Sequence, residues 1–475
     1  MKTTFRISAL AALMASSILV PVQVQARTSA PAQENSGPDM QEIMAELQRL
    51  RDQVSVLSAK VESLEAEKVA GSGPVAVSPA PATAPAVAGI AAVAVSAAAQ
   101  EPDTKISWKG APLIESKSGW SFKPRGRIQF DAGAISVPSS TGVQDGFGSE
   151  VRRIYLGVEG DMPGGFGYRL ESDFAGNNVD ITDAYLTYTD KGLELTIGQH
   201  NNFQSLEEMT SDRFASFMER AAFTDAFGFE RRLGASVQYS TGPVLVQGGV
   251  FSDNIASLPG KSWSADGRIV YMPKLGDTQL HFGGSAHYTD LSQDNNSVRY
   301  RQRPLVHFTS DRFINTGSFN GSSETGTGLE LAVIHGPLHV TGEGFWQHVS
   351  RSGAAENPTF FGGYAEMGLF LTKGDTRGYK RGVFERTKPA NPVGKGGFGA
   401  VQAVFRYDYL DLNDAQIVGG KQDAFEASLI WAPTAYTRFM LNYALMKYSD
   451  AVYPAAGGDT SYGVDVFGMR AQIDF

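Results

Sequence analysis

The chain has 475 residues, a net charge of −9 at pH 7 and no cysteine. The absence of cysteine excludes a disulfide framework, zinc–thiolate sites and cysteine-nucleophile chemistry. We expect no metal or other cofactor, and no nucleic-acid partner.

Residues 1–26 are typical of a cleaved secretory signal peptide. Lys2 and Arg6 precede an apolar run from Ile7 to Val20, and Val24-Gln25-Ala26 supplies the small residues of a cleavage site. The apolar run is too short for a membrane anchor, because a spanning helix needs about 20 residues.

Residues 39–68 carry a heptad repeat. Apolar residues fill positions a and d through consecutive heptads, at Met40, Leu47, Val54 and Val61 and at Ile43, Leu50, Leu57 and Leu64. This period keeps one apolar seam facing a partner helix and indicates a coiled coil, of two or three strands. Residues 69–104 are rich in Ala, Pro, Val, Gly and Ser, and we expect a flexible or extended linker there.

Residues 105–475 alternate between apolar and polar residues and contain no apolar run long enough for a transmembrane helix. The final segment shows the alternation best: one face carries Phe467, Met469, Ala471, Ile473 and Phe475, and the other carries Gly468, Arg470, Gln472 and Asp474. Such alternation, interrupted by turns, is typical of transmembrane strands. A closed wall that is apolar toward lipid and polar toward a wet lumen satisfies both faces.

The strand count predicts an all-β fold, a sixteen-stranded antiparallel transmembrane β-barrel preceded by the α-helical coiled coil. Counting residues 298–309 as a strand would give seventeen, so we assign them to the loop after the ninth strand, because bacterial single-chain barrels have even numbers. Long polar loops are expected outside, at 136–150, 200–231, 290–325, 411–421 and 450–460, with short turns on the periplasmic side. The count also makes 373–395 a long periplasmic connection. Sixteen strands leave an aqueous channel.

The 200–231 loop carries charged residues among several phenylalanines. A loop this long and this aromatic is not expected to float free. It either folds into the lumen and narrows it or covers the mouth of the barrel, and we favour the inward arrangement.

The charges that line the narrow part of such a channel decide its selectivity. Nine arginines are candidates for lining the pore, because each lies on the polar face of a predicted strand or in a long loop. They are Arg125, Arg127, Arg153, Arg169, Arg213, Arg220, Arg299, Arg301 and Arg303. Guanidinium groups suit phosphate-type anions, because their charge is permanent and their N–H donors are paired. The alternative is that most of them pair with Glu159, Glu171, Asp173 and Asp183.

Several stretches resemble the phosphate-selective porin O/P family, in this order along the chain: SLEEMTS at 205–211, FMER at 217–220, RYDYLDLND at 406–414 and GGKQ at 419–422. The resemblance covers roughly residues 120–475. It implies a sixteen-stranded trimeric barrel that passes anions, with phosphate or polyphosphate as the substrates of the best-known members. It assigns no phosphate-binding residue of this sequence.

Two functions from different classes are consistent with these patterns. The first is a passive diffusion channel of the bacterial outer membrane, anion- or phosphate-preferring, whose partners are small anions, outer-membrane lipid and further copies of the chain in a homotrimer. The second is a structural envelope barrel that tethers a periplasmic coiled coil, with weak or no selectivity. No enzyme is expected, because the histidines show neither Ser/His/Asp nor metal-ligand spacing.

Overall fold

The computed structural model describes residues 104–176, 178–292, 296–353 and 355–475. The predicted signal peptide (1–26), coiled coil (39–68) and nearly all of the predicted linker (69–104) lie outside the described residues. Among the helices that are described, none has the length and apolarity needed to cross a membrane.

Sixteen antiparallel strands form a closed barrel in which each strand pairs with the next one along the chain. Their bounds are β1 Ser121–Ser136, β2 Gly146–Met162, β3 Phe166–Asp173, β4 Asp180–Asp190, β5 Leu193–Asn201, β6 Arg231–Thr241, β7 Val244–Phe251, β8 Trp263–Tyr271, β9 Thr278–Asp290, β10 Ser323–His335, β11 Leu338–Ser350, β12 Thr359–Phe370, β13 Ala400–Asp414, β14 Ile417–Thr434, β15 Thr437–Ser449 and β16 Tyr462–Asp474. Pairing of β16 with β1, from Asp465 opposite Ser136 to Asp474 opposite Arg127, closes the sheet. The predicted sixteen-stranded antiparallel barrel is confirmed.

Shorter elements lie at the two ends of the barrel. The end where β1 begins has tight turns and one long connection (371–399), and we call it the turn end; the opposite, loop end carries most of the longer connections. The short strands are Thr104–Trp108, Pro112–Ser116, Lys274–Leu275, Ser297–Val298, Arg301–Gln302, Ile314–Asn315, Phe319–Asn320, Gly378–Lys380 and Val383–Glu385. The helices are α1 Leu206–Met209 and α2 Ala222–Ala226, with 3-10 turns at Ser139–Thr141, Ile255–Ser257 and Ala456–Gly458.

The two faces of the wall differ as the alternation predicts. On the outer face of β16, Phe467 and Ile473 are 40% and 48% exposed, whereas Arg470 and Asp474 on the inner face are each 2% exposed. An apolar surface of this kind belongs against lipid, and buried charges on the inner face require partners in the lumen.

The C-terminal residue takes part in closing the barrel. The Phe475 N–H donates to the carbonyl oxygen of Gly126 at 2.9 Å, and the Gly126 N–H donates to the carbonyl oxygen of Phe475 at 3.2 Å. The Phe475 ring lies where a Cβ on residue 126 would be. Glycine at this position therefore lets the last aromatic side chain pack against the seam.

The structure corrects the loop expected at 411–421. Strands β13 and β14 continue through this region to a two-residue turn at Ala415 and Gln416, whose φ angles are 47° and 64°. Lys421 pairs with Asp411 on the neighbouring strand at 2.8 Å. The polar residues of this region predicted a loop. Polar side chains are equally well solvated on a strand that extends beyond the lipid into water, so their polarity does not require a loop.

Candidate functional site

The connection between β5 and β6, residues 202–230, folds into the barrel, and we call it the third loop. Leu206, Ala222 and Phe223 within it have no exposed surface. Its backbone N–H groups donate to side chains of the wall: Phe203 to Asp266 at 3.1 Å, Ala222 to Asp408 at 2.8 Å and Met218 to Asn442 at 2.8 Å. The inward arrangement is confirmed, and the alternative of a loop that covers the mouth is wrong.

Glu343 on β11 anchors the start of α1. Its carboxylate accepts the backbone N–H groups of Leu206 at 2.9 Å and Glu207 at 2.7 Å, and the Tyr364 hydroxyl donates to it at 2.8 Å. The N–H groups in the first turn of a helix have no partner within the helix. Glu343 therefore supplies from the wall the acceptors that this helix start lacks.

Arg470 on β16 fixes the middle of the third loop. It pairs with Asp131 of β1 at 2.6 Å and with Glu219 of the loop at 3.0 Å, and it donates to the carbonyl oxygen of Met218 at 2.5 Å. Arg152 binds Glu219 as well, at 2.9 Å. Burial alone would raise the pKa of Glu219, but Arg152 and Arg470 hold it well below its usual range. The loop therefore docks through an ionised carboxylate that is only partly exposed.

A cavity of about 270 Å³ lies between the third loop and the wall of β1–β7, and we call it the inner cavity. The arginines that line it are Arg125, Arg127, Arg153, Arg169, Arg213, Arg220 and Arg231. The carboxylates that line it are Glu171, Asp183, Glu194 and Asp212. Among the residues that line the cavity, seven guanidinium groups therefore face four carboxylates, whereas Glu159, Glu208 and Asp474, which pair with four of these arginines, are not part of the lining.

The carboxylates around the inner cavity are shared between arginines. Four of them each contact two guanidinium groups: Glu159 (Arg125 and Arg169), Glu171 (Arg125 at 3.2 Å and Arg127 at 3.7 Å), Asp183 (Arg169 at 3.5 Å and Arg231 at 2.6 Å) and Asp212 (Arg127 and Arg153). Asp173 takes no part and instead accepts the N–H groups of Ile154 and Ala175, at 3.1 and 3.0 Å. Only three of the nine predicted arginines, Arg125, Arg127 and Arg169, pair with carboxylates that the alternative names, and the pairing is not one for one.

Arg213 projects from the third loop into the inner cavity. Its ion-pair partner, Asp474, lies 3.7 Å away, and 19% of the Arg213 side chain is exposed. Burial and the nearby guanidinium of Arg125 lower the pKa of Arg213 to about 10. Since this value is well above neutral pH, Arg213 carries its positive charge into the cavity.

The described part of the 291–322 connection also enters the barrel and borders a cavity of about 520 Å³ at the loop end, which we call the outer cavity. Arg299, Arg301 and Arg303 line it, on the opposite face of the segment from the buried Val298 and Tyr300. Arg232 and Arg312 line it too, together with the carboxylates Asp225, Glu230, Asp253 and Glu324. Five guanidinium groups and four carboxylates thus meet here.

A middle cavity of about 190 Å³ lies between the other two. It shares Arg303 and Asp225 with the outer cavity, and Arg153, Asp212 and Arg220 with the inner cavity. Its charged lining is balanced, with Arg152, Arg153, Arg220 and Arg303 against Glu208, Asp212, Glu219 and Asp225. The three cavities therefore follow one another from the loop end inward.

A hairpin of residues 378–385 enters the barrel from the turn end. The carbonyl oxygen of Gly382 at its tip accepts a hydrogen bond from Arg268 on β8 at 2.9 Å. The Phe384 N–H donates to the Thr210 hydroxyl of the third loop at 3.3 Å. The long connection at 373–395 was expected, but not its insertion, and it narrows the lumen from the side opposite to the loops.

The structure thus brings six of the nine predicted arginines to the inner cavity and places the other three, Arg299, Arg301 and Arg303, at the outer cavity. Sequence reasoning missed Arg152, Arg231, Arg232 and Arg312. A signal for Arg231 and Arg232 was their adjacency where the chain re-enters the wall, because at least one of two neighbours in a strand must face the lumen.

A closed barrel with an apolar outer wall, a charged lumen and a loop folded inside it is the architecture of an outer-membrane porin. The family model for phosphate-selective porin O and P matches residues 122–475, and the chain belongs to this family. An uncharacterized protein of Caulobacter vibrioides is 45% identical over 470 residues, which cover 94% of this chain and 93% of that protein. The outer-membrane expressed OmpT of Vibrio cholerae, 9% identical, has a TM-score of 0.50 over 76% of this chain and 100% of that chain, a similarity of fold alone.

The Glu343→Ala variant is expected to loosen the third loop. It removes the acceptor of two backbone N–H groups, at a cost of about 1–3 kcal/mol for each group left unsatisfied. We expect larger and noisier single-channel currents in planar bilayers. Glu356→Ala, which removes a carboxylate from an exposed loop, is the control and should behave as wild type. Wild-type currents from Glu343→Ala would show that the loop does not depend on this anchor.

Proposed function

We propose that the chain is a passive diffusion channel of the outer membrane that prefers anions, and phosphate-type anions among them. The observation that supports this proposal most directly is the lining of the inner cavity, where guanidinium groups outnumber carboxylates by seven to four. Fixed charges of one sign at a narrow site favour passage of ions of the opposite sign.

The order of the cavities suggests how an anion would travel. It would enter among the arginines of the outer cavity, cross the balanced middle cavity and reach the inner cavity, where positive charge is in largest excess. Arg169, Arg213 and Arg231 would meet the solute most readily there, because their side chains are 29%, 19% and 27% exposed. Arg220 is 23% exposed, but its guanidinium group already donates to three backbone carbonyl oxygens of the third loop. The remaining predicted arginines would supply the background field of the pathway.

Guanidinium chemistry favours phosphate-type anions over simple halides. A guanidinium group presents two parallel N–H donors that match two oxygens of one phosphate group, and a halide ion offers no such pair of acceptors. Chloride would pass on charge alone, whereas phosphate would stay longer and reduce the chloride current.

One observation favours a second function, a structural barrel that tethers the predicted periplasmic coiled coil. The third loop, the 291–322 connection and the 378–385 hairpin all enter the lumen, and the inner and middle cavities measure only about 270 and 190 Å³. A barrel whose cavities do not connect would pass no current. Conductance therefore separates the two functions.

The test is the reversal potential of purified protein in a planar bilayer across a potassium chloride gradient, followed by titration of phosphate against the chloride current. We expect a reversal potential whose sign indicates anion preference, and a chloride current that falls as phosphate is added. A cation preference would contradict the proposal, and the absence of any conductance would favour the structural function.

A triple variant, Arg169→Gln with Arg213→Gln and Arg231→Gln, tests the inner cavity. It leaves four arginines against the four carboxylates, so we expect the reversal potential to move close to zero. Lys421→Ala, which removes a cation from the outer face of β14, is the matched control and should keep the wild-type value.

A second variant tests the outer cavity. Replacing Arg299, Arg301 and Arg303 with alanine should weaken anion preference as well; unchanged selectivity would remove these three from the pathway.

We further propose that three copies of the chain pack through the β3–β8 side of the barrel. Strands β3 and β7 have only 8 residues each, whereas β13 and β14 have 15 and 18. A strand needs about 9–11 residues to cross the bilayer, so the short wall is better covered by protein than by lipid. Ile197 on β5, 68% exposed, lies in this wall.

Because the chain has no cysteine, a single introduced cysteine tests this packing. We expect a short bifunctional maleimide to link Ile197→Cys chains, and the same reagent to leave Leu429→Cys chains, on the long wall, unlinked. Equal linking of both variants, or none at residue 197, would contradict the proposed interface.

A further inference from the structure

A small hairpin precedes the barrel and is part of its sheet. Strands Thr104–Trp108 and Pro112–Ser116 pair with each other, with Ile106 opposite Ile114 and Trp108 opposite Pro112. The second of them pairs with the start of β1, where Ile114 lies opposite Phe122. The wall therefore continues below the turn end of the barrel for two additional short strands.

The register decides which side chains of the hairpin continue the outer face. Residues directly opposite each other in an antiparallel pair point to the same face of the sheet. Phe122 and Phe130 are an even number of residues apart in β1, so their side chains point to the same face. Phe130 is 53% exposed on the outer face of the barrel. Ile114 and Ile106 therefore share the outer face with Phe122, and Trp108 joins them by its pairing with Pro112.

Among the described residues, this outer face is apolar and largely uncovered. Ile106 is 63% exposed and Trp108 76% exposed, and Trp120, which precedes β1, is 52% exposed. The opposite face of the first strand carries Lys105 and Ser107 instead. Leaving such an apolar surface in water is unfavourable by about 25 cal/mol per Å², so it requires an apolar covering.

The hairpin is held against the rim of the barrel. Ala111 at its tip is 2% exposed. The neighbouring Gly110, with φ of 85°, lies so close to the Tyr436 ring that a Cβ would overlap it. Tyr436 belongs to the turn between β14 and β15, so the tip is attached to the wall at a second place beyond its pairing with β1.

We propose that the outer face of this hairpin, Ile106, Trp108, Ile114 and Trp120, docks on the phospholipid interface of the leaflet at the turn end. Lipid is the expected occupant because this face continues the outer, lipid-facing side of β1 through Phe122. Tryptophan is typical of the membrane–water boundary, and the exposed Lys109, which follows Trp108, stands where it can approach lipid phosphates. The hairpin then extends the barrel's contact with the membrane past its last spanning residue.

The absence of cysteine in the chain allows a direct test with the full-length protein. Single cysteines at Ile106→Cys and Trp108→Cys on the outer face, and at Lys105→Cys and Ser107→Cys on the opposite face, carry an environment-sensitive nitrobenzoxadiazole label. Each labelled protein is reconstituted into phosphatidylethanolamine–phosphatidylglycerol vesicles. Quenching by doxyl-labelled lipid is then compared with quenching by iodide present on both sides.

We expect the ratio of lipid quenching to iodide quenching to be at least about twofold higher at residues 106 and 108 than at residues 105 and 107. Equal ratios at all four positions would overturn the proposal, because the face would then lie in water. Protection of residues 106 and 108 from both quenchers would also overturn it, since protein rather than lipid would then cover the hairpin. Gel mobility of unheated samples identifies variants that have folded, and the two faces serve as controls for each other.

Discussion

Charges that enter the lumen must find partners there, because an unpaired buried charge costs several kcal/mol. The third loop meets this constraint on the β8–β16 half of the wall. Arg406, with no exposed side-chain surface, lies between Glu207 of the loop at 2.9 Å and Glu366 of the wall at 2.7 Å. Glu343 and Asp408 accept backbone N–H groups of the same loop. These contacts fix the loop to one half of the barrel, so the free space lies along the other half.

Along β1–β7 the same constraint has a different outcome. Four carboxylates there are each divided between two guanidinium groups, as Asp183 is between Arg169 and Arg231. Pairing lowers the cost of burying the arginines without cancelling their charge. The remaining positive potential is available to a mobile anion. Such an anion can accept hydrogen bonds from guanidinium N–H groups that the shared carboxylates leave without a partner. Stability of the wall and the proposed preference for anions thus depend on one arrangement of charges, and the 378–385 hairpin restricts the space in which an anion could move.

Much of the barrel could be predicted because alternation assigns each residue to a face, and β16 follows its predicted pattern from Phe467 to Asp474. The inward third loop followed from its length and its aromatic content. Sharing of carboxylates could not be predicted, because it depends on cross-strand register, including a bulge at Gln129 and Phe130 that gives β2 an extra residue near Arg152. Insertion of the 378–385 hairpin left no periodic signal, because its partners lie on distant strands. The polar residues at 411–421 predicted a loop, since polarity alone does not distinguish a loop from a strand in water.

The central claim is that the inner cavity keeps enough positive charge to hold an anion. Anomalous diffraction at the arsenic edge, from crystals soaked in arsenate as an analogue of phosphate, tests it most directly. Our interpretation predicts an anomalous peak within hydrogen-bond distance of Arg169, Arg213 or Arg231. An inner cavity without such a peak, in crystals that show arsenate only at lysines on the outer surface, would contradict it.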